Sequence, residues 1–300
     1  MIKVRELTKV FDGFKALDAV NMNVGKGQIY GLVGPNGAGK STIIRHLTGV
    51  YRGNAGTVDV MGEPVYENRK VKEKIAYIPD EIFYFVQANT MDMKKYYQGL
   101  YPQFDEKMFV SLMEYFPTID VKRNIRHLSK GMQKQVAFWL AICCKPEILI
   151  LDEPVDGLDP VMRRQIWTIL MAEVAEREMT VVVSSHNLRE LEDVCDHVGI
   201  MNKGKIIIER SLSELQDNIT KIQVASADGV PNLPEEFKVL HSSSIGRVHT
   251  LIVRGNPTEA ERCILEQQEH AIVDLLPLTL EEIFIYEMGG VDYEVKDLLF

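Results

Sequence analysis

Apolar residues recur along this chain in two ways, as short runs and as helical stripes, and their order predicts an α/β protein. Ile29 to Val33, Ile148 to Leu151 and Val181 to Val183 are apolar runs of strand length, expected of strands covered on both faces in a parallel sheet. Ile2 to Val10, Lys15 to Val24 and Gln28 to Val33 read as successive strands, with turns at Asp12-Gly13 and Gly25-Lys26-Gly27 between them. Gly56 to Met61 and Lys74 to Ile78 continue the strands. From Asp80 to Lys130 the pattern turns helical, with Asp92 to Tyr101 and Asp105 to Phe116 stopped by Pro102 and Pro117. This predicts a helical insertion between two halves of an α/β core.

The second half repeats the alternation. Helix through Val136 to Ala141 ends at Lys145-Pro146, and Asp159-Pro160 opens another that runs to about Glu178, with Asp as N-cap and Pro at the first helical position. Asn187 with Glu190 predicts a capped helix through Cys195, and Ser211 with Glu214 caps a short helix ending near Gln216. Val198 to Met201 and Lys205 to Glu209 form a hairpin. Beyond it, strands at Ile222 to Ala225, Phe237 to Leu240, Val248 to Arg254 and Ile272 to Leu276, with helices at Pro257 to Gln268 and Leu280 to Met288, predict a small α+β domain.

Chemistry concentrates first where the Ile29 to Val33 strand ends. Gly34-Pro35-Asn36-Gly37-Ala38-Gly39-Lys40-Ser41-Thr42 leads into Ile43, Ile44 and Leu47 at helical spacing, so the order is strand, glycine loop, helix. Glycines let successive N–H groups face one anion, and the helix start adds its positive dipole end. Lys40 reaches the β- and γ-phosphates of a nucleotide, and Ser41 offers a hydroxyl to Mg²⁺. Asp152 and Glu153 end the Ile148 to Leu151 strand. The first carboxylate suits the surroundings of Mg²⁺, and the second can reach a water attacking the γ-phosphate. Ser129 precedes a helix, so its hydroxyl and the first free N–H groups can hold a further anion.

Composition limits what such a site serves. A 300-residue chain with net charge −9 opposes a broad nucleic-acid surface, although a local basic patch is compatible with it. The longest apolar run, Val136 to Cys144, is about half the roughly 20 residues of a membrane span. The alternating start, Met1 to Glu6, lacks the apolar core of a secretory signal, so the cytoplasm is the expected compartment. Cys143, Cys144, Cys195 and Cys263 show no C-x-x-C pairing and read as reduced thiols.

Taken in order, the glycine loop, Leu128-Ser129-Lys130-Gly131-Met132-Gln133, Asp152-Glu153, Asp156-Gly157-Leu158-Asp159 and His186 resemble the nucleotide-binding subunits of ATP-binding cassette (ABC) transporters over about residues 1 to 215. The resemblance implies a P-loop cassette over 1–216, with an antiparallel β subdomain and a helical insertion at about 81–145. A small α+β domain, 217–300, follows as a regulatory or subunit-contact module. Glu153 would be the general base, His186 the γ-phosphate switch, Phe11 the adenine-stacking aromatic, and Asp159 part of the loop that crosses to a partner. Ser129 and Gly131 would meet the γ-phosphate held by the other subunit's P-loop, so that two cassettes sandwich two ATP molecules head to tail.

Three stretches depart from the usual pattern. Asp80 stands where the family has Gln after Tyr77-Ile78-Pro79, Lys130 and Met132 replace a Gly and a Gln, and Val155-Asp156 is uncommon. A carboxylate at Asp80 is tolerable near Mg²⁺ and repelled near a γ-phosphate, which makes Asp80 a candidate metal residue. Lys130, the stretch Leu100-Tyr101-Pro102-Gln103-Phe104-Asp105 and the stretch Leu280-Glu281-Glu282-Ile283-Phe284 resemble a Gram-positive exporter-type branch that handles drugs, antimicrobial peptides or acetoin. The implied function is an ATP-hydrolysing subunit, with ATP and Mg²⁺, that drives a separate membrane permease from the inner face of the membrane. A soluble ABC ATPase acting on ribosomes or nucleic acid is the alternative, but its usual second cassette or long coiled coil is missing here. Ile82-Phe83-Tyr84-Phe85-Val86, next to Asp80, is an expected docking stretch for the permease.

Overall fold

The computed structural model describes residues 1–216, 219–227, 229–234, 236–268, 270–282 and 286. These divide into two units. The first comprises Met1–Asn187 and Val194–Glu209, the second Leu188–Asp193 and the chain from Arg210 onward.

The first unit carries two sheets. Strands β1 (Ile2–Phe11), β2 (Phe14–Val24), β4 (Ala55–Val60) and β5 (Glu63–Pro64) form an antiparallel sheet in the order β2-β1-β4-β5. Alternation along β1 and β2 buries one face, with Ile2, Val4, Leu7, Leu17, Val20 and Met22 in the core. The larger sheet contains β3 (Ile29–Val33), β6 (Ile75–Ile78), β7 (Ile148–Asp152), β8 (Thr180–Ser185), β9 (His197–Asn202) and β10 (Lys205–Ser211), in the order β10-β9-β3-β8-β7-β6. β6, β7, β8, β3 and β9 run parallel to one another. All residues of β3, β7 and β8 are buried, as their apolar runs predict.

Helices α1 (Lys40–Leu47) and α2 (Arg69–Lys72) accompany these strands, and α3 (Thr90–Leu100), α4 (Glu106–Leu112) and α5 (Lys130–Cys143) make the insertion. Asn89 and Asp92 close a capping box on α3, Asp105 caps α4, and the Ser129 hydroxyl caps α5. The insertion has its own aromatic core. Trp139 stacks on Phe109 with centroids 4.5 Å apart and donates to the Phe109 carbonyl, while Phe116 packs on the same indole at 5.6 Å. Helix α6 (Pro160–Arg177) starts as expected, with Asp159 accepting from Val161 and Met162 at its N-cap.

Two expected helices are shorter. Helix α4 ends at Leu112, four residues before Phe116, and α7 (Arg189–Glu192) is a single turn. The Asn187 N–H donates to Ser185 Oγ, which ties it into the turn after His186, and Leu188 is already helical. The second unit contains α7, α8 (Leu212–Gln216), α9 (Pro257–Gln267) and an antiparallel sheet of β11 (Ile219–Ala225), β12 (Lys238–Ile245), β13 (Val248–Arg254) and β14 (Ile272–Leu276), in the order β12-β13-β11-β14. Ser211 and Glu214 form the expected reciprocal cap of α8. Ile222, Val224, Leu251 and Val253 pack with Ala260 and Ile264 of α9. Ile283 and Phe284, and most of the helix expected from Leu280 to Met288, lie outside the described residues.

Candidate nucleotide site

The site follows from strand order. Four parallel strands end side by side, β3 at the glycine loop, β8 at His186, β7 at Asp152-Glu153 and β6 at Pro79-Asp80, and their register pairs Val33 with Ser185, Asp152 with Ser184, and Ile78 with Leu151. Ligands of open α/β sheets bind beyond the carboxyl ends of the strands, where all these residues lie.

The loop holds its bends through glycine. A Cβ on Gly34 would lie 2.2 Å from the Met201 carbonyl, and Gly39 sits at φ +110° as the N-cap of α1. No side chain caps α1, so its first N–H groups remain for an anion. Lys40 is buried, and its ammonium donates to the Gly34 carbonyl at 2.6 Å and the Pro35 carbonyl at 3.4 Å. Asn36 and Gly37 are exposed, Ala38 is buried beneath them, and Ser41 and Thr42 open the helix with Ser41 exposed.

Opposite the loop, Glu153 lies between two cationic or proton-bearing groups. Its Oε1 is 3.4 Å from Lys40 Nζ and its Oε2 2.9 Å from His186 Nδ1, so Nδ1–H donates to the carboxylate. Its backbone takes φ +48°, a left-handed conformation that costs a non-glycine residue roughly 1–2 kcal/mol. The strain is opposed by bonds on every side. Glu153 N–H donates to Ser184 Oγ at 3.1 Å, and Ser184 Oγ in turn donates to Asp152 Oδ1 at 2.5 Å. Asp152 is buried, and burial followed by its charge pushes the Tyr77 phenol up to about 12, leaving that ring a neutral neighbour.

Among the described residues no cluster of three or more His, Cys, Asp or Glu could hold a metal. The donor types at Ser41, a hydroxyl, and Asp152, a carboxylate, are of the kind Mg²⁺ takes when it arrives with phosphates, since such an ion needs only one or two protein oxygens.

The remaining candidates surround this centre at different distances in the fold. Phe11 ends β1 with its ring 38% exposed and edge-on to Tyr51 at 5.6 Å, and Lys9 Nζ stands 5.1 Å from its centroid. The Ser129 hydroxyl accepts from Met132 N–H at 3.2 Å and begins a 14-residue helix with no acidic residue in its first turn. Gly131 approaches Leu158 closely, since a Cβ there would meet Leu158 Cδ2 at 3.3 Å. Asp159 is the α6 cap. Asp80 faces Lys134 Nζ at 3.5 Å. Within the expected docking run, Tyr84 is buried and donates to the Gln133 carbonyl at 2.6 Å, whereas Phe83 is 72% exposed. Sequence reasoning missed Ser184 and Lys134. Ser184 is brought to Asp152 and Glu153 by the β7–β8 register, which pairs Asp152 with Ser184. Lys134 carried no signal beyond its place on the helix after Ser129.

This fold and site are those of a P-loop nucleotide-binding protein. The ABC transporter family matches residues 17–156. The ABC transporter ATP-binding protein YtrB of Bacillus subtilis (strain 168) is 30% identical over 290 residues, covering 97% of this chain and 99% of YtrB. The bacitracin transport ATP-binding protein BcrA of Bacillus licheniformis is 29% identical over 309 residues, covering 97% of this chain and 98% of BcrA. A solved ATP-binding subunit of an ABC transporter superposes with TM-score 0.66 at 24% identity, over 72% of this chain and 91% of that one. A dimeric post-hydrolysis ATP-binding cassette, MJ0796 bound to ADP and Pi, gives TM-score 0.64 at 20% identity, over 71% and 99%. The chain belongs to the ABC transporter ATP-binding proteins and is an ABC ATPase. The expected resemblance to a Gram-positive exporter-type branch agrees with these relatives.

Proposed function

We propose that this chain hydrolyses ATP with Mg²⁺ to drive a separate membrane permease, working as a head-to-tail pair of cassettes. The observation that carries the reading is the carboxylate of Glu153, held between Lys40 at 3.4 Å and His186 at 2.9 Å at the mouth of the phosphate loop. ATP's phosphates replace the carboxylate as the counter-charge of Lys40, and Glu153 then faces the attacking water as its base. His186 keeps the carboxylate oriented and turns toward the γ-phosphate. Ser41 and Asp152 would hold Mg²⁺, which would supply neutralisation of developing phosphate charge. Phe11 supplies the ring for adenine, and Ser129 and Gly131 supply the second anion site for the partner's nucleotide, with Asp159 in the crossing loop.

Glu153→Gln keeps shape and removes basicity, so turnover should fall about 10²-fold while ATP still binds. Near-normal turnover in that variant sinks the assignment.

Attachment to a permease at the inner membrane face is supported by the relatives' transporter names and by an aromatic patch beside Asp80. Phe83, Phe85 and Tyr96 are exposed and meet edge to face, with centroids 5.9 and 5.1 Å apart. Among the described residues no helix is long and apolar enough to cross a membrane, which fits a motor whose pore is another chain. Residues 217–300 are proposed as a regulatory or subunit-contact domain. A folded 1–216 chain should therefore keep ATP affinity, and loss of binding by equilibrium titration counts against this.

A further inference from the structure

Lys134 stands beside Glu153 and Asp80 with its side chain 13% exposed, and none of the roles above uses it. It stands on α5, the helix that Ser129 caps. From there its ammonium reaches two separate strand ends. It donates to the backbone carbonyl of Glu153 at 2.8 Å, at the end of β7, and it lies 3.5 Å from Asp80 Oδ1, beyond the end of β6.

Withdrawing a lysine partly from water is costly unless its charge is paired and its N–H groups are used. Asp80 supplies the charge and the Glu153 carbonyl an acceptor. The recipient is notable, since Glu153 holds a left-handed backbone at φ +48° that survives only where neighbours over-determine it. Its N–H is fixed by Ser184 from β8, its carboxylate by Lys40 and His186, and its carbonyl by Lys134. Lys134 thus holds the carbonyl end of this peptide, and it comes from the insertion rather than from the sheet.

We infer that Lys134 is the positioning residue of Glu153, and that Asp80 acts through Lys134 by fixing its ammonium rather than by meeting Mg²⁺. The inference rests on the reading of Glu153 as the base. It also accounts for the departure at Asp80, because a Gln there would leave the part-buried ammonium without the charge of Asp80. A helix whose first turn offers an anion site is in this way tied by one side chain to the base of the same chain.

Lys134→Met keeps the length of the side chain and removes its charge and donors. In the nucleotide-free protein, hydrogen exchange of peptides covering 152–158 should rise several-fold in Lys134→Met and in the exposed-site variant Asp80→Asn. The Lys134→Met/Asp80→Asn double variant should exchange no faster than Lys134→Met alone. With ATP, kcat of Lys134→Met should fall about 10- to 100-fold, the effect of misplacing a reacting group by roughly 1 Å, while the KM for ATP stays within about twofold. Lys134→Arg, which keeps charge and donors, should recover most of the rate. Unchanged exchange at 152–158 in Lys134→Met overturns the inference, as does kcat within twofold of the parent. An Asp80→Asn shift of the Mg²⁺ midpoint that persists in the Lys134→Met background gives Asp80 to the metal and also overturns it. Failure of the base reading shows separately, as retained turnover in Glu153→Gln.

Discussion

Ser184 serves two carboxylate residues with one oxygen. Its hydroxyl donates to Asp152 Oδ1 and accepts from Glu153 N–H, and it is fully buried at the end of β8. In Ser184→Ala the buried Asp152 oxygen loses its donor, and the Glu153 N–H keeps the longer bond to the Ser184 carbonyl at 3.3 Å. Leaving a buried polar group unpaired costs about 1–3 kcal/mol, so the thermal midpoint should fall by several degrees. The same change should slow turnover by misplacing Glu153, and a variant with unaltered melting and unaltered kcat would show that the hydroxyl is dispensable. Much of this centre was legible in the chain, because glycines, a lysine and paired carboxylates at strand ends carry their chemistry in their types. The supports were not. A serine or a lysine that acts through another residue has no type-specific signal, and only the register of β7 against β8 and the placement of α5 bring Ser184 and Lys134 to Glu153.

At the level of elements, apolar patterning was enough wherever burial decides the conformation. β3, β7 and β8 are buried at all positions and α6 has both its cap and its proline, so strand and helix could be read from residue type alone. Patterning failed where a turn competes with a helix. The spacing of Asn187 and Glu190 predicts a helix through Cys195, yet the chain turns after Glu192 and α7 spans one turn. The aromatic run before α3 shows the same limit. Phe83, Tyr84 and Phe85 are alike in hydropathy, but Tyr84 is 4% exposed and hydrogen-bonded to α5, while Phe83 and Phe85 face outward. The two kinds of position should therefore respond differently. Tyr84→Ala removes a buried ring and should destabilise the protein by about 3–5 kcal/mol, visible as a large loss of thermal midpoint. Phe83→Ala should leave melting and isolated ATPase activity within about twofold of the parent but reduce stimulation by a reconstituted permease. Equal melting losses at Phe83 and Tyr84 would place both in the insertion's core and remove the docking reading.

The whole molecule carries its two proposed anion sites on different elements, the P-loop between β3 and α1 and the Ser129 site at the start of α5. In the proposed head-to-tail arrangement each nucleotide would be held by the P-loop of one chain and the Ser129 site of its partner, which would make the site a property of the pair. A Lys40→Ala pair lacks the phosphate ammonium in both sites, and a Ser129→Arg pair blocks both second anion sites, so neither should hydrolyse ATP well. Mixing the two gives a different count. In the mixed pair, the Ser129→Arg chain brings an intact P-loop to the intact Ser129 of the Lys40→Ala chain, which restores one site and leaves the other doubly broken. Activity should therefore return on mixing, in proportion to the mixed pairs measured by a tagged-chain pull-down, up to about half the parental rate if the sites turn over independently. A pull-down showing abundant mixed pairs with no recovered turnover would mean that one site cannot fire without its twin. Full activity from a chain shown by light scattering to be monomeric during turnover would defeat the shared site outright, because Ser129 and Lys40 of one chain would then have to serve the same γ-phosphate.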